Sequence, residues 1–258
     1  MRAAFFGGIY NNYLALRAAL EDARRRGAEA IYCLGDIGGF GPYPDRSIEL
    51  LRSENIPVVQ GNYDDSVGNG RPDCGCGYTD PRDNHYARVS YAYTVERTSA
   101  AHCPWLAELP PKREVSWGAK RFIMVHGSPR QVNEFLWETT SPDDFLDRLV
   151  QDAGADVLLC THTGIHWQRE LPSGRRVVNV GALGRPANDG RTEVWYSFYN
   201  SERAQPFEFI PVAYDHRRLA REMQSEKLPE EFVETILTGW WTTCLEILPA
   251  KERMRGRY

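Results

Sequence analysis

The sequence predicts a layered α/β fold, and two features of its patterning lead to that prediction. Short apolar runs typical of buried strands alternate with segments whose apolar residues recur at helical spacing, the order found when helices cover a sheet. The last strand-like runs follow one another with no helical segment between them, so part of the sheet should be antiparallel. With 258 residues, 42% of them hydrophobic, the chain is long enough for one large domain or for a domain with a small appendage.

The predicted elements follow this order along the chain. Asn12 can cap the first helix and Gly27 can end it, because an amide side chain accepts hydrogen bonds from a first turn and glycine tolerates a left-handed turn. Two further helices are expected around Ser47–Ser53 and at Pro142–Ala153. The predicted strands are Ala3–Phe6, Ala30–Leu34, Pro57–Val59, Phe122–Val125, Val157–Leu159, Val177–Val180, Glu193–Tyr199 and Phe207–Pro211.

Two regions fall outside this alternation. Residues 1–213 form the main domain, and residues 64–111, which are polar and glycine-rich before one or two helices, form a small cap inserted into it. Residues 214–258 are interpreted as two helices followed by an apolar tail that contains Trp240 and Trp241. Because such a tail is too apolar to stay solvated, we expect it to dock on its own domain or to form a homodimer contact.

Charge, hydropathy and cysteine spacing limit the classes of protein that remain. The formal net charge is −4, and no apolar stretch approaches the ~20 residues that a membrane helix needs, so we expect neither nucleic acid nor a membrane as partner. The N-terminus has too short an apolar core for a signal peptide, which favours a cytoplasmic location. Cys74 and Cys76 flank one glycine, a spacing that matches neither a zinc ribbon nor a thioredoxin-like motif. A disulfide framework is therefore not expected.

Four side chains able to bind a metal follow four different predicted strands. Asp36, Asn62, His126 and His162 each come at or just after a strand's carboxyl end, where open α/β sheets bind their ligands. Any one of them alone is more often structural, because Asp and Asn cap turns and single histidines bond backbone. One carboxylate, one amide oxygen and two imidazoles together suit manganese, iron or zinc better than calcium or magnesium. The four residues therefore predict a transition-metal site.

The segments that carry these residues resemble a known family. GDIGGFGPYP, GNYDD, HGSP and THTG, in this order, are similar to motifs of the calcineurin-like metallophosphoesterases, and most of all to the small bacterial phosphodiesterase-like branch. The resemblance runs from the N-terminus to about residue 212. It implies an α+β fold of four layers, in which two packed mixed β-sheets are flanked by helices. It also implies chemistry with two metal ions that clamp a phosphate and activate water.

The chain departs from the family at the ligands of one metal only. The resemblance places the family's first aspartate and histidine at Gly8 and Tyr10, and the last histidine of its Gly-His-Thr-His motif at Gly164. All three ligands private to the first metal are thus missing. Asp36, which bridges both ions in the family, and the three ligands of the second metal remain. We expect one divalent transition metal, manganese, iron or zinc, held by those four residues.

The resemblance also implies catalytic roles for Asp36, Tyr63 and His126. Tyr63 stands where many members carry a histidine that contacts the phosphate and can protonate the leaving group. A tyrosine can donate a hydrogen bond, but with a reference pKa of ~10 it is a poor general acid at neutral pH. One metal without that acid should hydrolyse phosphate esters slowly.

Several residues could replace the missing ligands or line the pocket. A Tyr10 phenolate could bind ferric iron, although a buried ring that fills space is the simpler interpretation. His166 lies two residues past Gly164, and Arg130 could reach an anionic substrate or pair with a neighbouring carboxylate. The cap contains four further residues that can bind metals, Cys74, Cys76, His85 and His102. The favoured interpretation is that they lie in a turn and in packed helices, and the alternative is that the cap folds over the site.

Three functions therefore stay open from the sequence. The favoured one is a metal-binding member of the family with weak or altered hydrolysis of a phosphorylated small molecule. The alternative is an inactive pseudoenzyme that binds a ligand or regulates another protein. The third is a relic that has lost its metal altogether.

Overall fold

The structure, a computed structural model, describes residues 1–256 and contains two mixed β-sheets packed face to face. The nine strands in these residues are β1 Arg2–Phe6, β2 Ala30–Cys33, β3 Lys112–Trp117, β4 Lys120–Val125, β5 Val157–Cys160, β6 His166–Glu170, β7 Arg176–Val180, β8 Val194–Asn200 and β9 Phe207–Val212. One sheet has the order β2-β1-β8-β9 and the other β3-β4-β5-β7-β6. Each sheet combines parallel pairs, such as β1 with β2 and β4 with β5, with antiparallel ones.

Helices cover the outer faces of both sheets, which gives the four predicted layers. They are α1 Tyr13–Arg25, α2 Pro44–Ser53, α3 Asn62–Gly68, α4 Pro81–Arg97, α5 Cys103–Ala107, α6 Asp143–Asp152, α7 His216–Ser225, α8 Glu230–Thr238 and α9 Ala250–Arg253. As expected, Asn12 caps α1, and its side-chain oxygen accepts a hydrogen bond from the backbone N–H of Ala15 at 3.0 Å. The apolar residues Leu16 and Leu20 of α1 pack against the first sheet.

Alternation along the strands explains how one sheet serves two cores. Phe5 of β1 faces the second sheet and packs with Phe122 of β4 and Phe207 of β9. Phe6, the next residue, faces the helical side and contacts Tyr196 with ring centroids 5.4 Å apart. Because successive side chains of a strand point to opposite faces, this pattern fixes the register of the sheet sandwich.

The secondary structure differs from the sequence prediction in three regions. Pro57–Val59 forms a single bridge between Val58 and Cys33 instead of a strand. Strands β3 and β6 are absent from the sequence prediction, because both are edge strands with polar, partly exposed residues and so lack an apolar run. The cap was expected to begin with a polar segment and to contain one or two helices, whereas three helices, α3, α4 and α5, lie in this region and α3 begins at Asn62.

The structure contains one disulfide bond among residues 1–256, which the cysteine spacing did not predict. Cys74 and Cys76 are bonded to each other. Gly75 between them has a φ of +59°, a left-handed conformation, and the two Cα atoms lie 5.3 Å apart, within the range that a disulfide needs. The spacing of Cys74 and Cys76 matches no known metal or redox motif, and their bond depends on the tight turn at Gly75.

The apolar tail docks on its own chain. Trp241 is 2% exposed, its indole N–H donates to the Pro186 carbonyl at 2.7 Å, and its backbone N–H donates to Asn188 at 2.8 Å. This arrangement is the simpler of the two expected for the tail, and the homodimer stays a prediction. None of the helices formed by residues 1–256 is long and apolar enough to cross a membrane.

Candidate metal centre

Three of the four predicted metal ligands meet in one buried cluster. The ligand atoms of Asp36, His126 and His162 all lie within 4.8 Å of one another. Oδ2 of Asp36 is 3.2 Å from Nε2 of His126, and that nitrogen is 3.1 Å from Nδ1 of His162. The three residues are 3%, 1% and 7% exposed. A carboxylate and two imidazoles converging in the interior form a donor set that suits a transition metal.

Backbone geometry at the ends of the strands brings these side chains together. Asp36 follows β2 and His162 follows β5, and both have positive φ values, +53° and +68°. A left-handed conformation costs a non-glycine residue roughly 1–3 kcal/mol and tends to occur at functional sites. His126 directly follows β4, which lies beside β5 in the same sheet. Two strained turns and one strand end therefore position the triad.

The His126 ring has a fixed orientation. Its Nδ1 lies 2.7 Å from the carbonyl oxygen of Leu34, which can only accept, so Nδ1 carries the proton. Nε2 is consequently left for Asp36 and the space between the two histidines. A metal-binding histidine typically has its other ring nitrogen held by a carbonyl in this way.

Asn62, the fourth predicted ligand, offers an oxygen that nothing else uses. Its Nδ2 donates to the Cys74 carbonyl at 2.8 Å, whereas Oδ1 is buried and accepts no hydrogen bond from residues 1–256. The next residue, Tyr63, donates its backbone N–H to Oδ1 of Asp36 at 3.0 Å, which places Asn62 beside the triad. Because a buried acceptor without a partner is costly, the free amide oxygen fits a site that takes a cation.

Asp64 supports the site, although sequence reasoning missed it. Its carboxylate accepts hydrogen bonds from the backbone N–H groups of Asp36, Ile37 and Gly61 at 2.9, 3.0 and 2.8 Å. These bonds tie the turn after β2 to the start of α3 and so hold two ligand-bearing segments together. Burial, followed by the Asp36 charge, raises the pKa of Asp64 to about 6. The available signal was an acid three residues after Gly61, at the start of a helix.

Burial and neighbouring charges shift the pKa values of the two histidines in opposite directions. Burial alone would lower the pKa of His126, but the Asp36 charge and hydrogen bond raise it overall. Burial, reinforced by the charge on His126, lowers the pKa of His162 to about 3. The raised pKa favours the protonated form of His126 beside Asp36, and the lowered pKa favours a neutral imidazole at His162. A metal entering this cluster would displace the His126 proton.

Tyr63 lines the same cavity as Asp36 and His162, but its hydroxyl points to the cap. The Tyr63 hydroxyl donates to Oγ of Ser90 in α4 at 3.0 Å. Burial raises the pKa of this phenol well above its ordinary value. A phenol held neutral in this way can donate a hydrogen bond but is a still weaker acid than the sequence suggested.

The remaining candidates separate by position. Tyr10 lines the cavity of the triad, and burial, opposed by the Arg185 charge, raises the pKa of its phenol, which disfavours a phenolate ligand. His166 lies elsewhere, with its ring 4.8 Å from that of Trp195 and 4.5 Å from that of Phe209. Sequence position alone could not place it, because β6 turns it away from Gly164.

Arg130 pairs with a carboxylate, which was the favoured of its two interpretations. It forms an ion pair with Glu134, and its guanidinium lies 4.9 Å from the centroid of the Phe145 ring.

The cap reaches the candidate metal cluster, because Sγ of Cys76 is 3.6 Å from Nδ2 of Asn62. As half of a disulfide, however, Cys76 has no thiolate to offer.

Two residues that the sequence did not single out also belong to the site. Arg185 lines the cavity of the triad, and Trp241 of the tail stacks on its guanidinium at 3.5 Å from the ring centroid. The signal available for Arg185 was its place in the segment GALGR, which follows the carboxyl end of β7 at the same sheet edge as His126 and His162. Trp241 comes from the far end of the chain and had no local signal.

Comparisons with known proteins agree with the fold and the cluster. A profile described as the calcineurin-like phosphoesterase superfamily domain matches residues 1–199. A metallophosphoesterase from Sphaerobacter thermophilus is 28% identical, with 93% of this chain and 99% of that chain covered and a TM-score of 0.69. A hypothetical protein from Pyrococcus horikoshii is 25% identical, with the same shares covered and a TM-score of 0.77.

A relative among the curated proteins, an uncharacterized protein from Methanocaldococcus jannaschii, is 27% identical over 251 residues, which are 92% of this chain and 97% of the relative. The family profile covers well over half of the chain and spans the segments that carry all three members of the triad. By its two mixed sheets, its strand-end ligands and this match, the chain belongs to the calcineurin-like phosphoesterase superfamily.

Proposed function

We propose that this protein binds one divalent transition metal, manganese, iron or zinc, and hydrolyses a phosphorylated small molecule slowly. The observation that carries the proposal is the asymmetry between the two halves of the site. Asp36, His126 and His162 converge in the interior, and Asn62 adds a free oxygen. On the other side, a Cβ atom at residue 8 would lie 2.5 Å from Cε1 of the Tyr10 ring, so that ring fills the space of the missing aspartate.

Each residue of the site would have a separate role in the hydrolysis of a phosphate ester. A metal bound by the triad and Asn62 would polarise the ester and lower the pKa of water. The Leu34 carbonyl keeps the His126 ring oriented, and the backbone N–H of Tyr63 keeps the Asp36 carboxylate in place. Tyr63, the candidate acid for the leaving oxygen, is a neutral phenol hydrogen-bonded to Ser90 and is therefore a weak acid. Slow hydrolysis follows from this last point.

The alternative function is that of a pseudoenzyme that binds a phosphorylated ligand without cleaving it. The size of the cavity favours this reading, since it measures about 50 Å³ and ligand pockets of ~300–1,000 Å³ are usual for drug-sized molecules. A space of this size admits a small group such as a phosphate. Binding without turnover and slow turnover make the same use of the metal, and only the assay separates them.

Metal content tests the proposal directly. Chain purified without chelator and analysed for its elements should contain about one equivalent of transition metal. His162→Ala removes one of two imidazole ligands and should lose most of that metal, because the remaining set falls to one imidazole and two oxygens. His166→Ala is the matched control: it removes a partly buried histidine whose ring packs on Trp195 and Phe209, and it should keep the metal. Two equivalents in the unchanged chain would contradict the one-metal proposal.

Hydrolysis is the second test. With manganese present, we expect turnover of generic phosphodiester and phosphomonoester substrates below the ordinary enzymatic range of ~1–1,000 per second. His126→Ala should abolish whatever activity is found, since it removes the oriented imidazole and the partner of Asp36. Turnover within the ordinary range that disappears in His126→Ala would show a full enzyme. No turnover with any metal, combined with retained metal binding, would favour the pseudoenzyme.

A further inference from the structure

Arg185 is a buried cation that forms no ion pair with the part of the chain that the structure describes. The residue is 6% exposed, and its Nε–H donates no hydrogen bond to residues 1–256. None of the ion pairs formed within these residues includes it. Guanidinium groups stay charged at all physiological pH values, and buried charges are nearly always paired. Residues 1–256 therefore place a positive charge in the interior with no carboxylate within ion-pair distance.

The side chains nearest Arg185 are two phenols and a thiol, those of Tyr10, Tyr78 and Cys244. The carboxyl of Asp83 also interacts with the Arg185 charge, but it lies beyond ion-pair distance. Burial raises the pKa of both phenols, so neither supplies a negative charge. The face of Trp241 offsets part of the cost of burying the cation through its π electrons, but it accepts no hydrogen bond in the plane of the guanidinium. A guanidinium beside two hydroxyl donors is suited to an anion with several oxygens.

Arg185 and the metal ligands share one cavity. Asp36, His162, Tyr10 and Arg185 all line the space of about 50 Å³ described above. A Cβ atom at Gly164, two residues past His162, would lie 3.2 Å from Nη2 of Arg185. The guanidinium therefore stands beside the position at which the missing histidine would begin. A fixed positive charge lies on the side of the cavity that lacks metal ligands.

We propose that Arg185 binds the phosphate group of the substrate in this cavity, as a permanent cation facing the metal-ligand triad. The ligand class is a compound with a terminal phosphate, because the space admits a phosphate and leaves the remainder of the molecule outside. Binding forms charge-assisted hydrogen bonds from the guanidinium to phosphate oxygens and breaks no covalent bond. The inference rests on the proposed function for the identity of the substrate, but not for the existence of the anion site.

The test uses inorganic phosphate and the full chain in the presence of a chelator, so that no metal contributes. Calorimetry should detect phosphate binding to the unchanged chain. Arg185→Met keeps an unbranched apolar stem and removes the charge, and it should weaken phosphate binding by about tenfold or more. Arg185→Lys keeps the charge but loses the planar set of donors, so its affinity should fall between the two.

Thermal stability without phosphate distinguishes binding from a merely structural role. If Arg185 is kept for an anion, removing its unpaired charge should raise the Tm of Arg185→Met above that of the unchanged chain. If the stack on Trp241 is what matters, the Tm should fall. Arg191→Met is the matched control, because Arg191 also lies over an indole, that of Trp195 at 4.6 Å, but pairs with Asp189. It should lower or preserve the Tm and leave phosphate binding unchanged.

Each outcome decides the proposal. Unchanged phosphate affinity in Arg185→Met, or a lower Tm together with that result, would overturn it. Acetate binding as tightly as phosphate would overturn the assignment to phosphate. A chain that binds phosphate through Arg185 but retains no metal would refute the metal proposal and leave this inference standing. A chain that holds one metal but whose phosphate binding ignores Arg185 would refute this inference alone.

Discussion

The variant that combines Gly8→Asp, Tyr10→His and Gly164→His is expected to bind one metal ion, the number proposed for the unchanged chain, and to be less stable. These changes introduce the three ligands that the resemblance described above implies for a first metal. The space for them is already taken, because a Cβ atom at residue 164 would lie 2.9 Å from Cη2 of Trp241 and 3.2 Å from Nη2 of Arg185. Overpacking a buried position costs about 1–3 kcal/mol.

Charge and backbone conformation oppose the second ion as well. Gly164 has a φ of +76°, which is strained for histidine by roughly 1–2 kcal/mol. The Arg185 guanidinium would remain beside a metal that carries two positive charges. The measurements are elemental analysis for the number of ions and thermal unfolding for stability. Adding Arg185→Ala to the three changes should be needed before a second ion binds.

Gly174→His is the matched control for the strain of the left-handed backbone. Gly174 has a φ of +84°, and a Cβ atom there would meet nothing within 4 Å. Gly164→His should lower the free energy of unfolding more than Gly174→His, by the amount of the clash. If the triple variant binds two ions with Arg185 in place, Trp241 and Arg185 can move aside, and the interpretation of a filled site is wrong.

The cluster of candidate metal ligands was predictable because the same rule of sheet topology applies to each strand end. Each of Asp36, His126 and His162 follows its own strand, and parallel strands bring their carboxyl ends to one edge. The residue types then identified the kind of site. This prediction needs no distance between the side chains. The segment before Asn62 forms a single bridge at Val58 instead of the expected strand, and Asn62 still lies beside the triad.

The filling of the other half of the site was not predictable from spacing. Trp241 meets Gly164 across 77 positions of sequence, and nothing in the tail segment indicates where it docks. The sequence does show that Gly164 lacks a side chain, but whether the gap is open or filled depends on this distant contact. The sequence likewise does not indicate whether Arg185 forms an ion pair, because that depends on which side chains the fold brings near it.

Trp241→Ala is expected to destabilise the protein by about 3–5 kcal/mol, the usual range for truncating a buried aromatic residue. The side chain is 2% exposed and packs with Trp137 and Leu248. Its loss would also leave the Pro186 carbonyl without its donor at 2.7 Å and remove the stack on Arg185. Thermal unfolding should show a Tm lower by on the order of 10 °C.

Trp240→Ala separates the role of this indole from that of an apolar tail in general. Trp240 is partly exposed, so its truncation removes less buried area and should cost less than that of its neighbour. Ending the chain after Thr238 removes both residues together with α9, and we expect light scattering to show aggregation or unfolding of the truncated protein. Since the triad lies on the turn after β2 and on the ends of β4 and β5, Trp241→Ala should still bind one metal at a temperature where it is folded. A truncated chain that stays monomeric with an unchanged Tm would contradict both the docked tail and the predicted homodimer, because either one requires the apolar residues to be covered.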